Sequence, residues 1–300
     1  MSDTRHIIAV FGATGAQGGS VADALLSDGT FKVRAITRNP MKKNAKRLHE
    51  RGAELVRADL DDDKSLRTAL KDVYGVFLVT DYWEHMDKER EVMQGRRVAE
   101  LCRSLKIKHA IFSSLENAKE LSGGRLEVPH FDGKGEINDY FREIGIPVTS
   151  VRMPSYFENF LGAYRPVRSD DENCFILEIP IGGVPLHGMS VRDLGGVVLS
   201  ILKSPEEYIG KDIGLSTDHL TIAEYAAIMS KHTGKTIKPS KLFPEDYEKL
   251  DFCGAYEAAG MFKLYMMGLD RDKEMTRKLN PKAVTFEEWM LENKNLLNLR

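Results

Sequence analysis

One turn constrains this chain more than any other feature. Gly12-Ala13-Thr14-Gly15-Ala16-Gln17-Gly18 follows a short apolar run at residues 6–11 and opens a helical stretch at 18–27. A GxxGxxG turn between a strand and a helix lets backbone N–H groups approach a pyrophosphate. The helix N-terminus adds unpaired donors and a favourable dipole. A glycine triplet alone is weak evidence, and the strand before it and the helix after it give this one its weight. The plain alternative is a tight turn that holds no ligand.

The surroundings repeat the pattern. Apolar, β-branched runs at 32–36, 53–56, 75–79, 109–112 and 147–151 alternate with helical stretches at 41–51, 64–70, 87–105 and 134–144. Short continuous apolar runs read as parallel strands covered on both faces. Their alternation with helices predicts an α/β fold, a Rossmann-type doubly wound parallel sheet. Beyond residue 152 the alternation loosens. Strands are expected at 174–180 and 211–216, and helices at 189–202, 221–233, 244–250, 255–265 and 285–293. Ser190 is a candidate N-cap, and Thr221 stands three residues before Glu224, the capping-box spacing. The expected division is a dinucleotide-binding domain over 1–155 and a smaller, mostly helical C-terminal lobe over 156–300. That boundary is soft, because the strand near 211 can return to the main sheet.

Composition narrows the function classes. Lys and Arg total 43 against 45 Asp and Glu, a net charge of −2, so no global field attracts nucleic acid. No apolar run approaches the roughly 18 residues of a membrane span. The polar residues 1–5 lead directly into a strand, so no signal peptide is expected. Cys102, Cys174 and Cys253 are far apart, which fits a reducing cytoplasm and neither a disulfide framework nor a zinc site. No metal is expected.

The end of the second strand selects the cofactor. An acid there would read the ribose 2′-hydroxyl of NAD. The chain instead carries Thr37-Arg38-Asn39-Pro40-Met41-Lys42-Lys43. The planar fork of Arg38 suits a 2′-phosphate and the lysines add charge, so the reading is NADP(H); the alternative is a solvated basic turn. Asp59-Leu60-Asp61-Asp62-Asp63 closes the third strand. A carboxylate there either accepts from the adenine amino group or caps the helix at 64–70. Thr80-Asp81-Tyr82-Trp83-Glu84 follows the fourth strand, and its aromatics either pack on a cofactor or cover a lobe interface.

Four stretches together carry a family resemblance: Val10 through Gly19 around the glycine turn, Thr37-Arg38-Asn39-Pro40, His130-Phe131-Asp132-Gly133-Lys134-Gly135-Glu136, and Ser155-Tyr156-Phe157-Glu158-Asn159. The chain resembles the NmrA-like proteins of the atypical short-chain dehydrogenase superfamily over nearly its whole length. The glycine turn is generic, and the last two stretches are the specific ones. The resemblance implies that Gly12, Ala13, Thr14, Gly15, Ala16 and Gln17 cradle the pyrophosphate. It implies that Arg38, Asn39, Pro40, Met41 and Lys42 hold the 2′-phosphate and that Asp62 and Asp63 lie near the adenine. Trp83, Glu84 and His85 would line the nicotinamide side, with Lys134, Tyr156, Phe157, Glu158 and Asn159 completing it. Where relatives can carry a further lysine contact, this chain reads Glu91-Val92-Met93-Gln94. Fungal NmrA is a negative regulator that binds a GATA-type transcription factor. Vertebrate relatives look like redox sensors that form homodimers and move between cytoplasm, perinuclear region and nucleus. They contact argininosuccinate synthase and NF-κB signalling components, and the resemblance implies partners of that kind here.

Catalysis is the open question. A short-chain dehydrogenase places a Tyr four residues before a Lys, whose cation lowers the phenol pKa, with a Ser on the preceding strand. Lys134 is present and Ser113 and Ser114 end the fifth strand, but the tyrosine position holds His130. Imidazole moves protons near neutral pH, so the exchange weakens the case for a dehydrogenase without removing it. Isoflavone-reductase-like enzymes, which share this architecture, work with the lysine alone. The preferred expectation is an NADP(H)-binding redox sensor and regulatory protein without dehydrogenase activity. The alternative is an NADPH-dependent reductase of quinone-like or enone-like molecules using Lys134, with His130 as proton carrier. No GxSxG or HExxH occurs, and Asp251, Cys253 and His219 show no partner at useful spacing. Cys102 reads as packing and Trp289 as a core anchor. The methionine-rich stretch 261–267 either packs on the lobe or offers an adaptable partner surface.

Overall fold

Ile7–Val10 (β1) is an unbroken apolar run, and Ile8, Ala9 and Val10 are fully buried. Such a strand needs neighbours on both edges and cover on both faces. The computed structural model, which describes residues 4–170, 173–251 and 254–299, supplies them. Lys32–Thr37 (β2), Glu54–Arg57 (β3), Gly75–Leu78 (β4), His109–Ser114 (β5) and Val148–Arg152 (β6) join β1 and Asp212–Gly214 in a seven-stranded sheet. The order is Asp212–Gly214, β6, β5, β4, β1, β2, β3. The pairings β1–β2, β2–β3, β1–β4, β4–β5 and β5–β6 are all parallel. Ala16–Asp28 (α1), Lys43–Glu50 (α2), Asp63–Ala69 (α3) and Lys88–Ser104 (α4) are the crossovers between successive strands. After the single turn Ala118–Leu121 (α5), Pro129–Glu143 (α6) leads to β6. Strand order reverses at β1, and open α/β sheets bind ligands at the carboxyl ends of the strands at such a point.

The chain forms two compact units. One is drawn from Met1–Asn117, Pro129–Arg152 and Val191–Ile213, the other from Ala118–Val128, Met153–Ser190 and Gly214–Arg300. In the first, Phe77, Val98, Phe112 and Phe141 are fully buried, and the rings of Phe112 and Phe141 stack. In the second, Phe157, Phe160, Tyr225, Phe286 and Trp289 form one aromatic core. Trp289 is the anchor its sequence position suggested. Cys102 is buried among apolar side chains, which pushes its thiol up to about 12 and suits packing rather than redox chemistry. Cys253 lies outside the described residues.

Several local expectations need correcting. The helix expected at 134–144 begins at Pro129, whose fixed φ and missing N–H suit a first helical turn. His130 therefore sits one turn before Lys134 on the same helix. The helix expected at 189–202 is the strand Leu186–Met189 followed by Leu194–Lys203. The N-cap position of that helix is Asp193, and the Ser190 hydroxyl is buried and donates to Glu158. The helix expected at 244–250 is the single turn Pro244–Tyr247. The second unit also holds two three-stranded sheets whose strands are too short to show a period in sequence. Thr221 behaves as expected: it accepts from the Glu224 N–H, and the Glu224 carboxylate accepts from the Thr221 N–H.

One buried group ties the sheet to pH. His109 Nε2 lies 2.8 Å from Thr149 Oγ1, whose hydroxyl donates to Tyr208 O at 2.7 Å. Nε2 is thus the donor, and Nδ1 is buried with no hydrogen-bond partner among the described residues. Burial lowers the imidazole from 6.5 to about 4. Between those values the unfolded chain binds the extra proton and the folded chain does not. Stability therefore falls as pH drops from about 6.5 towards 4. Urea midpoints of wild type and His109→Gln across that window are expected to diverge, with only the wild type showing this component.

Candidate functional site

The glycine turn leaves β1 through Gly12, at φ +60°, a conformation that favours glycine. The Gly15 N–H donates back to Gly12 O at 2.8 Å. A Cβ on Gly18 would stand 2.4 Å from the carbonyl oxygens of both Phe11 and Gly12, so the helix start fits against the turn only without a side chain. Gly15 is the N-cap of α1, with no side-chain hydrogen bond and no acid in the first turn. Ala16 and Gln17 open the helix. Its first N–H groups, left uncapped by any side chain, fit an anion. Asn44 Nδ2 of α2 donates to Thr14 O at 3.3 Å and steadies the turn, a contact with no local sequence signal.

Beside it, the loop after β2 is shaped by its own polar groups. Thr37 Oγ1 accepts from the Asn39 N–H at 3.2 Å, and Asn39 Oδ1 accepts from the Met41 N–H at 2.9 Å. Arg38 and Lys42 are exposed and so is Met41, while Pro40 is partly covered. Arg38 Nη1 donates to the Glu84 carboxylate. The pairing holds the Glu84 carboxyl below its usual range and raises the guanidinium. A cavity of about 440 Å³ adjoins Arg38, with Arg57, Asp59, Asp62 and Ser65 in its wall. Sequence reasoning missed Arg57, a second guanidinium with no hydrogen bond or ion pair among the described residues.

The acid cluster after β3 is largely engaged within the fold. Asp62 Oδ1 accepts from the Lys64 N–H at 3.0 Å, which makes it the N-cap of α3. Asp61 takes Arg90 at 2.7 Å, and Asp63 takes Arg97 at 2.5 Å. The cap role left open by the sequence is thus filled by Asp62.

Lys134 occupies a setting the sequence did not announce. Helix α4 lies along α6. Lys134 Nζ is paired with the Glu91 carboxylate and donates to Thr80 Oγ1 at 3.0 Å. The Glu91 side chain is 2 % exposed and that of Lys134 12 %. The second Glu91 oxygen is buried with no hydrogen-bond partner among the described residues. His130 is buried against aromatic rings, 4.9 Å from Trp83, 4.9 Å from Phe131 and 5.7 Å from Tyr82 between centroids. Trp83 itself is half exposed, and His85 closes the Tyr82–Glu84 turn with its N–H on Tyr82 O. Ser113 and Ser114 are buried, and the Ser114 hydroxyl faces backbone carbonyls.

Tyr156, Phe157, Glu158 and Asn159 belong to the second unit. Tyr156 pairs with Met189 in a three-stranded sheet. Phe157 is wholly buried, 5.1 Å from Phe286 between ring centroids. Glu158 accepts from Ser190 at 2.7 Å and Trp289 Nε1 at 3.3 Å, and the Asn159 carbonyl accepts two backbone N–H groups. These bonds fix the segment within its own unit.

The NmrA-like family model matches residues 4–290. An NmrA-like family domain-containing protein of Dictyostelium discoideum is 32% identical over 300 residues, covering 94% of this chain and 96% of that protein. The NmrA-like family domain-containing oxidoreductase FrzB of a Cladobotryum species is 30% identical, covering 84% and 80%. Among solved structures, NmrA, a negative transcriptional regulator, in complex with NADP superposes with a TM-score of 0.83 at 20% identity, covering 99% of each chain. The extent of the family match and the relatives' identity over most of both chains place this protein in the NmrA-like family.

Proposed function

We propose that this chain binds NADP(H) at the glycine turn of its first unit and acts as an NADP(H)-responsive regulatory protein rather than a dehydrogenase. The observation that carries the second half is the state of Lys134. In a Tyr-x-x-x-Lys dehydrogenase the lysine serves the tyrosine. Here the residue one turn earlier is His130, and the ammonium is held by Glu91 and Thr80 inside the fold. The uncapped start of α1 and the glycine cradle would hold the pyrophosphate, with Arg38 and Lys42 at the 2′-phosphate. When bound, the reduced nicotinamide supplies a hydride. The chain's own groups hold the cofactor and keep Lys134 engaged. The NADP-bound negative transcriptional regulator of the same fold supports the regulatory reading. Homodimer formation and regulatory partners belong to this proposal, as does a cytoplasmic and nuclear location. No helix among the described residues is long and apolar enough to cross a membrane.

A reductase is the second reading, favoured by the presence of Lys134 and by a relative named an oxidoreductase. Substrate-dependent loss of NADPH absorbance separates the two. With a panel of quinones and enones, wild type and His130→Tyr are both expected to be inert, because Glu91 still holds Lys134. Sustained turnover by the wild type would establish the reductase. Turnover gained only in His130→Tyr would reveal a latent pocket lacking its acid.

A further inference from the structure

Resting on the NADP(H) reading, we propose that Glu84, through its contact with Arg38 and in place of the nicotinamide-side role the resemblance implied, is a specificity-determining residue, an internal anion that the cofactor's 2′-phosphate must displace. The topology places the pair. Strands β4 and β2 lie on opposite sides of β1, whose end runs into the glycine turn. Arg38 follows β2 directly and Glu84 belongs to the turn after β4, so their ion pair reaches across the end of β1. It forms a strap over the strand that feeds the pyrophosphate cradle.

The chemistry gives the strap its selectivity. Acidic groups act on Arg38, Glu84 in contact and Asp59 and Asp81 further out, while Arg57 shares the wall of the adjoining cavity. A 2′-phosphate carries up to about two negative charges, and a carboxylate already on the same guanidinium repels it. The phosphate gains Arg38 fully only when Glu84 lets go. NAD(H) has no such group and gains nothing by breaking the pair. Both partners are partly exposed, 55 % for Arg38 and 34 % for Glu84, so the pair is weak enough to exchange. Glu84 therefore lowers the preference for NADP(H) below what Arg38 alone would give.

The test is calorimetric titration of the full chain with NADP⁺ and with NAD⁺, using wild type, Glu84→Gln, Glu84→Ala and Arg38→Ala. Removing the Glu84 charge is expected to tighten NADP⁺ about fivefold, the upper range for a surface ion pair, and to leave NAD⁺ unchanged. Unchanged or weaker NADP⁺ binding in both Glu84 variants overturns the proposal, as does equal tightening of both dinucleotides. Arg38→Ala separates the two levels. If it loses NADP⁺ while the Glu84 variants gain nothing, only the strap is wrong. If it loses nothing, the phosphate assignment itself has failed.

Discussion

Replacing Glu91 with leucine is expected to cost about 3–5 kcal/mol of unfolding free energy, the range for removing one partner of a buried ion pair. The pair is nearly closed to solvent, and the change strands the Lys134 ammonium with Thr80 as its remaining side-chain partner. The double variant Glu91→Leu/Lys134→Met is expected to recover most of the loss, because apolar groups of similar size often replace a buried pair without penalty. Urea unfolding of the two single variants and the double variant closes the cycle, with the slope checked for constancy. A loss below about 1 kcal/mol would mean that Lys134 is solvated in solution. It would then be available to a substrate or cofactor, and the reductase reading would gain.

Arg38→Ala carries the second large effect. Charge-assisted hydrogen bonds to the 2′-phosphate are worth roughly 1.5–3 kcal/mol, about 10- to 150-fold in affinity. The Glu84 carboxylate already on that guanidinium places the expected loss near the lower end, about tenfold. NADH binding is expected to stay nearly constant, since Arg38 has no phosphate to meet there. Lys42 and Arg57 are both exposed near the same loop, so a residual preference of a few-fold in Arg38→Ala would point to them. Adding Arg57→Ala tests the second guanidinium beside the cavity.

The readable parts of this protein were those written in local pattern. The β1 run, the glycine turn and the absence of an acid after β2 are contiguous, and each has a direct physical reading. The missing parts depend on partners far apart in sequence. Glu91 stands in the charged run Lys88-Glu89-Arg90-Glu91, which resembles a solvated helix face. Glu89 and Arg90 are exposed as that pattern suggests, and Glu91 alone of the four is buried, turned towards a lysine on another helix. The Arg38–Glu84 pair likewise joins two loops that only the strand order brings together. Thr80 offered no signal beyond its place after a strand. In the second unit, strands of two to four residues are held by pairing rather than by their own periodicity, so the aromatic core was only partly visible, through Trp289.

In the proposed function, the glycine turn and Arg38 form a site for a 2′-phosphorylated dinucleotide. Calorimetric titration of the cofactor-free wild type with NADPH and NADH measures it most directly. NADPH is expected to bind about tenfold or more tightly than NADH, one molecule per chain, with the margin shrinking as salt screens the phosphate contact. Equal affinities would leave Arg38 an ordinary solvated residue, and no binding of either would make the glycine turn a fold element alone.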